Sequence, residues 1–139
     1  MTSFASSFIS DSTSMSAGGT SAKSFGAGGT ISICGANSEI GTIQNIEAFG
    51  EIIHKYDGIF HCDATALYPH QRIDVKKCGI DMMTVSAQKF HSTEGVGFLY
   101  VKKGMKINPI IYGNQENELR GGSYNTALIA GMGKALEIT

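Results

Sequence analysis

An α/β fold with a mainly parallel sheet is predicted from Thr30 onward, on three observations. Short β-rich runs alternate with helical or turn segments, the run Ile80 to Ala87 is almost continuously apolar, and polar residues collect where the runs end. At 139 residues with 42% apolar content, the chain has the length of one domain and the material for a core. Composition divides it in two. Residues 1–29 are dominated by Ser, Gly, Thr and Ala, show no sustained period and are expected to form a flexible leader; the domain is expected over 30–139.

Each element has its own signal. "TISICGA" is a short β-rich run that ends at a polar loop. "NIEAFGEIIHKYD" sets Ile46, Phe49, Gly50 and Ile53 on one helical face, and Asp57-Gly58 closes it. "GIFHCDA" predicts a second strand, and "DVKKCG" a short helical turn. "IDMMTVSA" predicts a third strand covered on both faces, because both of its alternating sets are apolar. "GVGFLYVKK" predicts a fourth, which follows without a crossover helix and is free to run antiparallel. Met105 to Gly113 is an extended connector, and "YNTALIAGMGKALEIT" spaces Leu128, Met132 and Leu136 for a helix capped by Ser123 or Asn125.

Charge and cysteine usage exclude several functions. The net charge of −1, from 11 basic and 12 acidic residues without long runs, offers no polyanion-binding surface, so nucleic acid is not an expected partner. No apolar run approaches the roughly 18 to 20 residues that span a bilayer, and no signal peptide is evident, so the expectation is a cytoplasmic protein without membrane contact. Cys34, Cys62 and Cys78 lack metal-ligand spacing and read as small buried apolar side chains, with Cys34 in mid-strand.

Polar residues at three strand ends remain: Asn37 and Ser38 after the first, Asp63 after the second, and Ser86, Gln88 and Lys89 after the third. Alone, Asp63 reads equally well as a cap of the loop "ATALYPHQ", and Lys89 as a surface lysine. Together, an acid and a lysine at neighbouring strand ends match pyridoxal phosphate. That cofactor needs an amine to hold its aldehyde as a Schiff base and a carboxylate to keep its ring nitrogen protonated. Ser86 and Gln88 suit its phosphate.

From about Thr30 to Thr139 the sequence resembles the cysteine desulfurase branch of the class V aminotransferases. The stretch from "ISICGANSEIG" through "HCDATA" and "SAQKF" to "GVGFLYV" is similar to the family's Asn-Asn-Glu, Asp-Ala and Ser-x-His-Lys motifs and the strand that follows. "NQENELRGGSYNTALIAGMGKAL" is similar to its Gln-Glu-x-x-x-Arg-x-Gly-Thr segment. The resemblance implies part of the large domain of the pyridoxal-phosphate transferase (aspartate aminotransferase-like) fold. It makes Lys89 the Schiff-base lysine, Asp63 the partner of the pyridine nitrogen, and Ser86 a phosphate ligand. Ser123 would reach the phosphate of another subunit, which implies a homodimer. The family converts L-cysteine to alanine and an enzyme-bound persulfide that passes sulfur to an acceptor protein, as in iron–sulfur cluster assembly; selenocysteine and sulfinate are substrates of related enzymes.

Departures accompany the matches. Ser38 replaces the second asparagine of the first motif, Ala66 a glutamine at the cofactor's ring oxygen, and Gln88 the phosphate-binding histidine; Asn117 stands where many members have arginine. The family's enzymes are about three times this length. Their phosphate loop, stacking histidine and persulfide cysteine have no counterpart here, so the expectation is a truncated protein that needs a complementing chain. The alternative is a non-catalytic interaction or structural module built on the same core.

Overall fold

The computed structural model describes residues 29–139. The expected leader therefore lies, except for Gly29, outside the described residues. In order come β1 (Thr30–Cys34), α1 (Ile46–Lys55), β2 (Ile59–Asp63), β3 (Met82–Ser86), a 3-10 turn (Ala87–Phe90), β4 (Gly97–Val101) and α2 (Thr126–Ile138). The four strands form one sheet in the order β1-β2-β3-β4. β1 and β2 pair in parallel, as do β2 and β3, whereas β4 runs antiparallel to β3.

Register assigns the two faces. Ile31 and Ile33 pair with Phe60 and Cys62, Cys62 pairs with Met83, and Val85 pairs with Phe98, so these side chains share one face. The core lies on it: Phe60, Cys62, Met83 and Val85 are buried against Ile53 of α1, Leu67, Ile80, Phe90 and Met132 of α2. The opposite face carries Ser32, Cys34, His61, Asp63, Met82, Thr84, Ser86 and Leu99. The third strand thus corrects the expectation of full cover. Met83 and Val85 are buried, but Met82, Thr84 and Ser86 are only half-buried, since Thr84 and Ser86 make the second face partly polar.

Local chemistry fixes the helices. The Asn45 side chain accepts from Ala48 N at 3.2 Å at the start of α1, a cap worth about 1 kcal/mol. Asp57, at φ 55°, turns the chain out of the helix before Gly58. At α2 the cap is Asn125, which accepts from Leu128 N at 3.3 Å; Met132 is buried, and Leu128 and Leu136 are half-buried. The helical turn expected at "DVKKCG" is present as a single turn, in which Cys78 N donates to Asp74 O at 2.9 Å. Asp74 Oδ1 accepts from Lys76 N and Lys77 N at 3.0 Å each, and Gly79 at φ 63° ends the turn before a helix can propagate.

This turn explains the glycine on the buried face of α1. A Cβ on Gly50 would stand 2.1 Å from the carbonyl oxygen of Cys78, a backbone atom that cannot step aside. Gly50→Ala is therefore expected to cost about 1–3 kcal/mol in urea denaturation, as overpacking does. Gly133→Ala, where a Cβ meets nothing within 4 Å, serves as the comparison and should gain about 0.5–1 kcal/mol from helix propensity.

Candidate functional site

Parallel pairing brings the carboxyl ends of β2 and β3 together. Asp63 ends β2 and pairs with Thr84; Ser86, two residues further on, ends β3 on the same face as Asp63. Gln88 and Lys89 follow at once in the 3-10 turn, both exposed, while its flanking residues Ala87 and Phe90 are fully buried. Phe90 stacks edge-on against Tyr68 with ring centroids 5.4 Å apart, and His91 leaves the turn in the left-handed conformation at φ 64°. Two buried anchors thus hold a short turn whose polar side chains face outward. Among the described residues Lys89 forms no ion pair, in contrast to Lys77 with Glu47, Lys102 with Asp81 and Lys134 with Glu137.

Asp63 fills the loop-capping role open to it. Its Oδ1 accepts from Thr65 N at 3.0 Å, which caps the following loop, while Oδ2 lies 3.9 Å from Cys34 Sγ. The carboxylate is half-buried. Cys34 thereby differs from expectation: it is the last residue of β1, exposed and directed to the Asp63 face, because alternation along β1 sets it on the side of Ser32, opposite the core. Of the three free cysteines only Cys62 is fully buried, and burial, reinforced by the Asp63 carboxylate, pushes its thiol up to about 12.

Ser38 lies in the exposed turn after β1, where Asn37 Oδ1 accepts from Glu39 N at 2.8 Å and Ile40 N at 3.2 Å. Ser123 is exposed on the approach to α2. The loop before it is tightly folded: Gly122 N donates to Gln115 Oε1 at 3.1 Å, Glu116 N to the Tyr124 hydroxyl at 2.9 Å, and Gly121 N to Ile111 O at 2.7 Å. A Cβ on Gly121 would lie 2.1 Å from Tyr112 O, so only glycine permits that approach. Two surface concavities, one along Arg72–Lys76 and one between the 43–47 and 67–78 segments, include none of the six candidate residues.

One residue on the Asp63 face was not singled out in the sequence. His61 Nδ1 is 2.7 Å from Ser32 Oγ, and its Nε2 is buried without a hydrogen-bond partner among the described residues. Burial pushes the imidazole below its ordinary pKa of 6.5, against the smaller upward pull of Asp63. Below pH 6.5 the unfolded chain then binds a proton that the folded chain refuses, so stability falls as the pH drops. Denaturation at pH 7.5 and 5.5 is expected to show this loss, at most about 1.4 kcal/mol per pH unit, and His61→Gln to reduce it.

Residues 28–139 match the family model described as class-V aminotransferase. Over 109 residues the chain is 48% identical to cysteine desulfurase IscS of Dictyoglomus turgidum and 46% identical to that of Methanosarcina thermophila, covering 78% of this chain in each case. The match takes in only 28% and 27% of those relatives, so the chain spans under a third of their length. Among solved structures it is similar to a NifS-like protein from Rickettsia africae (TM-score 0.76, 34% identity). A structure of SspA in complex with cysteine is also similar (TM-score 0.74, 40% identity). Each alignment covers 78% of this chain, and 31% and 32% of those chains.

Proposed function

Because the chain belongs to the class-V aminotransferase family, we propose that it is a cysteine-desulfurase-like protein in which Lys89 and Asp63 hold pyridoxal phosphate. The observation that carries this reading is the convergence of two parallel strands. Asp63 and Ser86 end neighbouring strands on one face, and Lys89 follows Ser86 within a single anchored turn. The donor set fits the group at each end: an exposed amine for the aldehyde, a carboxylate oxygen for the ring nitrogen, and a hydroxyl and an amide for the phosphate.

When bound, the cofactor supplies a sink for the electrons of a substrate carbanion. The chain's own residues bind and move protons. Lys89 Nζ would hold the cofactor through its aldehyde and would serve as the group that moves a proton at the substrate. Asp63 would keep a proton on the ring nitrogen through its carboxylate, whose Oδ1 the Thr65 amide holds. Ser86 Oγ and the Gln88 amide bind the phosphate, with Gln88 a neutral donor in place of histidine. Ser38 stands on the substrate side, and Ser123 serves the phosphate of a second copy.

L-cysteine is the proposed substrate and a sulfur-acceptor protein the proposed recipient. Identity to the desulfurases named above supports the substrate; the recipient rests on the family resemblance. Turnover is proposed for a whole enzyme of this kind, since the matched residues amount to less than a third of those relatives. The free state of Cys34, Cys62 and Cys78 accords with a reducing, cytoplasmic setting; among the described residues no helix is long and apolar enough to cross a membrane. Titrating the full chain with pyridoxal phosphate should give a saturable visible band. A featureless titration would overturn the proposal.

A further inference from the structure

Two cross-strand pairs lie in succession on the outer face of β1 and β2. Parallel register sets Ser32 beside His61 and Cys34 beside Asp63, with Ser32 Oγ 2.7 Å from His61 Nδ1 and Cys34 Sγ 3.9 Å from Asp63 Oδ2. The two oxygens of Asp63 therefore have different companions. Oδ1 is fixed by the Thr65 backbone amide, whereas the neighbour of Oδ2 is a side chain at the exposed end of a strand.

We infer that Cys34 is a positioning residue for Asp63: its S–H is directed at Oδ2 and, with the Thr65 amide on Oδ1, sets the rotation of the carboxylate that faces the cofactor's ring nitrogen. The inference rests on the pyridoxal-phosphate reading above. An Asp side chain turns freely about its terminal torsion, and one backbone donor does not fix the carboxylate plane. A second donor on the other oxygen does. β1 supplies it because the strand ends on the residue that pairs with Asp63.

The chemistry of this thiol suits a donor and not a sulfur acceptor. Accepting sulfur requires a thiolate, and a thiolate here would face a carboxylate across 3.9 Å. Although the residue is exposed, partial desolvation of its sulfur in the first place, and the Asp63 carboxylate in the second, raise the Cys34 pKa above its ordinary value. The group therefore stays S–H at neutral pH and keeps its proton available to Oδ2. The same pair makes a checkable statement without any cofactor: removing the Asp63 charge must make Cys34 easier to ionise.

The test has two parts, both on the full chain. In the first, iodoacetamide alkylation of Cys34 is followed by peptide mass spectrometry across pH, in the parent and in Asp63→Asn. A reactivity profile displaced to lower pH in Asp63→Asn is expected; superimposable profiles would mean that thiol and carboxylate do not interact, and would overturn the inference. In the second, pyridoxal phosphate is titrated into the parent, Cys34→Ala and Cys34→Ser. Cys34→Ala should bind about three- to tenfold more weakly, the range of one hydrogen bond, while Cys34→Ser, which keeps a donor, should stay within about twofold. Equal binding by all three, with the Lys89 adduct intact, overturns the positioning role and leaves the proposed function standing. Absence of a Lys89 adduct in the parent overturns both.

Discussion

Lys89→Ala is expected to abolish the covalent capture of pyridoxal phosphate. After incubation and borohydride reduction, the parent chain should carry one stoichiometric adduct on Lys89, and the variant less than about a tenth of that, since no other group replaces a Schiff-base amine. Position makes the expectation sharp, not freedom from pairing, since among the described residues Lys55, Lys76, Lys103 and Lys106 also form no ion pair. Lys77, Lys102 and Lys134 are held by carboxylates, while Lys89 stands at the carboxyl edge with buried Ala87 and Phe90 fixing the turn that presents it. Sparse label spread over many lysines would show that the edge no longer selects one amine. Asp63→Ala should leave the adduct at Lys89 possible but weaken retention of the cofactor, because the ring nitrogen loses its carboxylate while the amine stays in place.

The second large effect lies at the other end of the strands. Asp81, buried just before β3, accepts from His54 Nε2 at 2.8 Å and Phe60 N at 3.0 Å through Oδ2, and from Lys102 Nζ at 2.9 Å through Oδ1. One carboxylate thus ties α1, the start of β2 and the end of β4. Asp81→Ala is expected to cost about 1–3 kcal/mol in chemical denaturation, since it leaves the buried Phe60 amide without its acceptor and unpairs His54 and Lys102. Lys102→Ala, whose side chain is 54% exposed, should cost under about 1 kcal/mol. Burial raises the Asp81 pKa, but the Phe60 amide, Lys102 and His54 together outweigh it and leave the carboxyl below its ordinary range. Its contribution is therefore complete above that range and is lost as the pH falls through the folded-state value. An Asp81→Ala chain as stable as the parent would refute the tie.

Much of this architecture was legible in the residues. Alternation from Thr30 onward located the strands and both helices, and the polar residues at strand ends picked out Asp63, Ser86, Gln88 and Lys89 before any coordinates. What escaped depends on register. That Cys34 would stand beside Asp63 follows from the pairing of Cys34 with Asp63 across β1 and β2, and no local pattern states which residues of two strands face each other. Cys34 looked like an interior residue because "TISICGA" does not state which of its alternating sets faces the core. Asp81 escaped for a related reason: it reads as one residue of the third strand "IDMMTVSA", and its three donors come from distant parts of the sequence. The run of left-handed residues Glu116, Asn117 and Glu118 belongs to the same class, since neither glutamate favours that conformation and only the surrounding loop imposes it.

The order of strands across the sheet is also their order along the chain, and this bears on how the site comes into being. Ser86 meets Gly97 by closing a short loop, whereas Asp63 joins Thr84 only after the longer 64–81 segment has been brought in, and Cys34 joins Asp63 only after α1 and its turns have formed. Loop-closure entropy favours the β3–β4 hairpin as the earliest pairing. The amine-bearing turn is the connection within that hairpin. In the folding chain Lys89 is thus displayed before its acidic counterpart has a strand to stand on, and the pair becomes a pair only when the parallel half of the sheet closes.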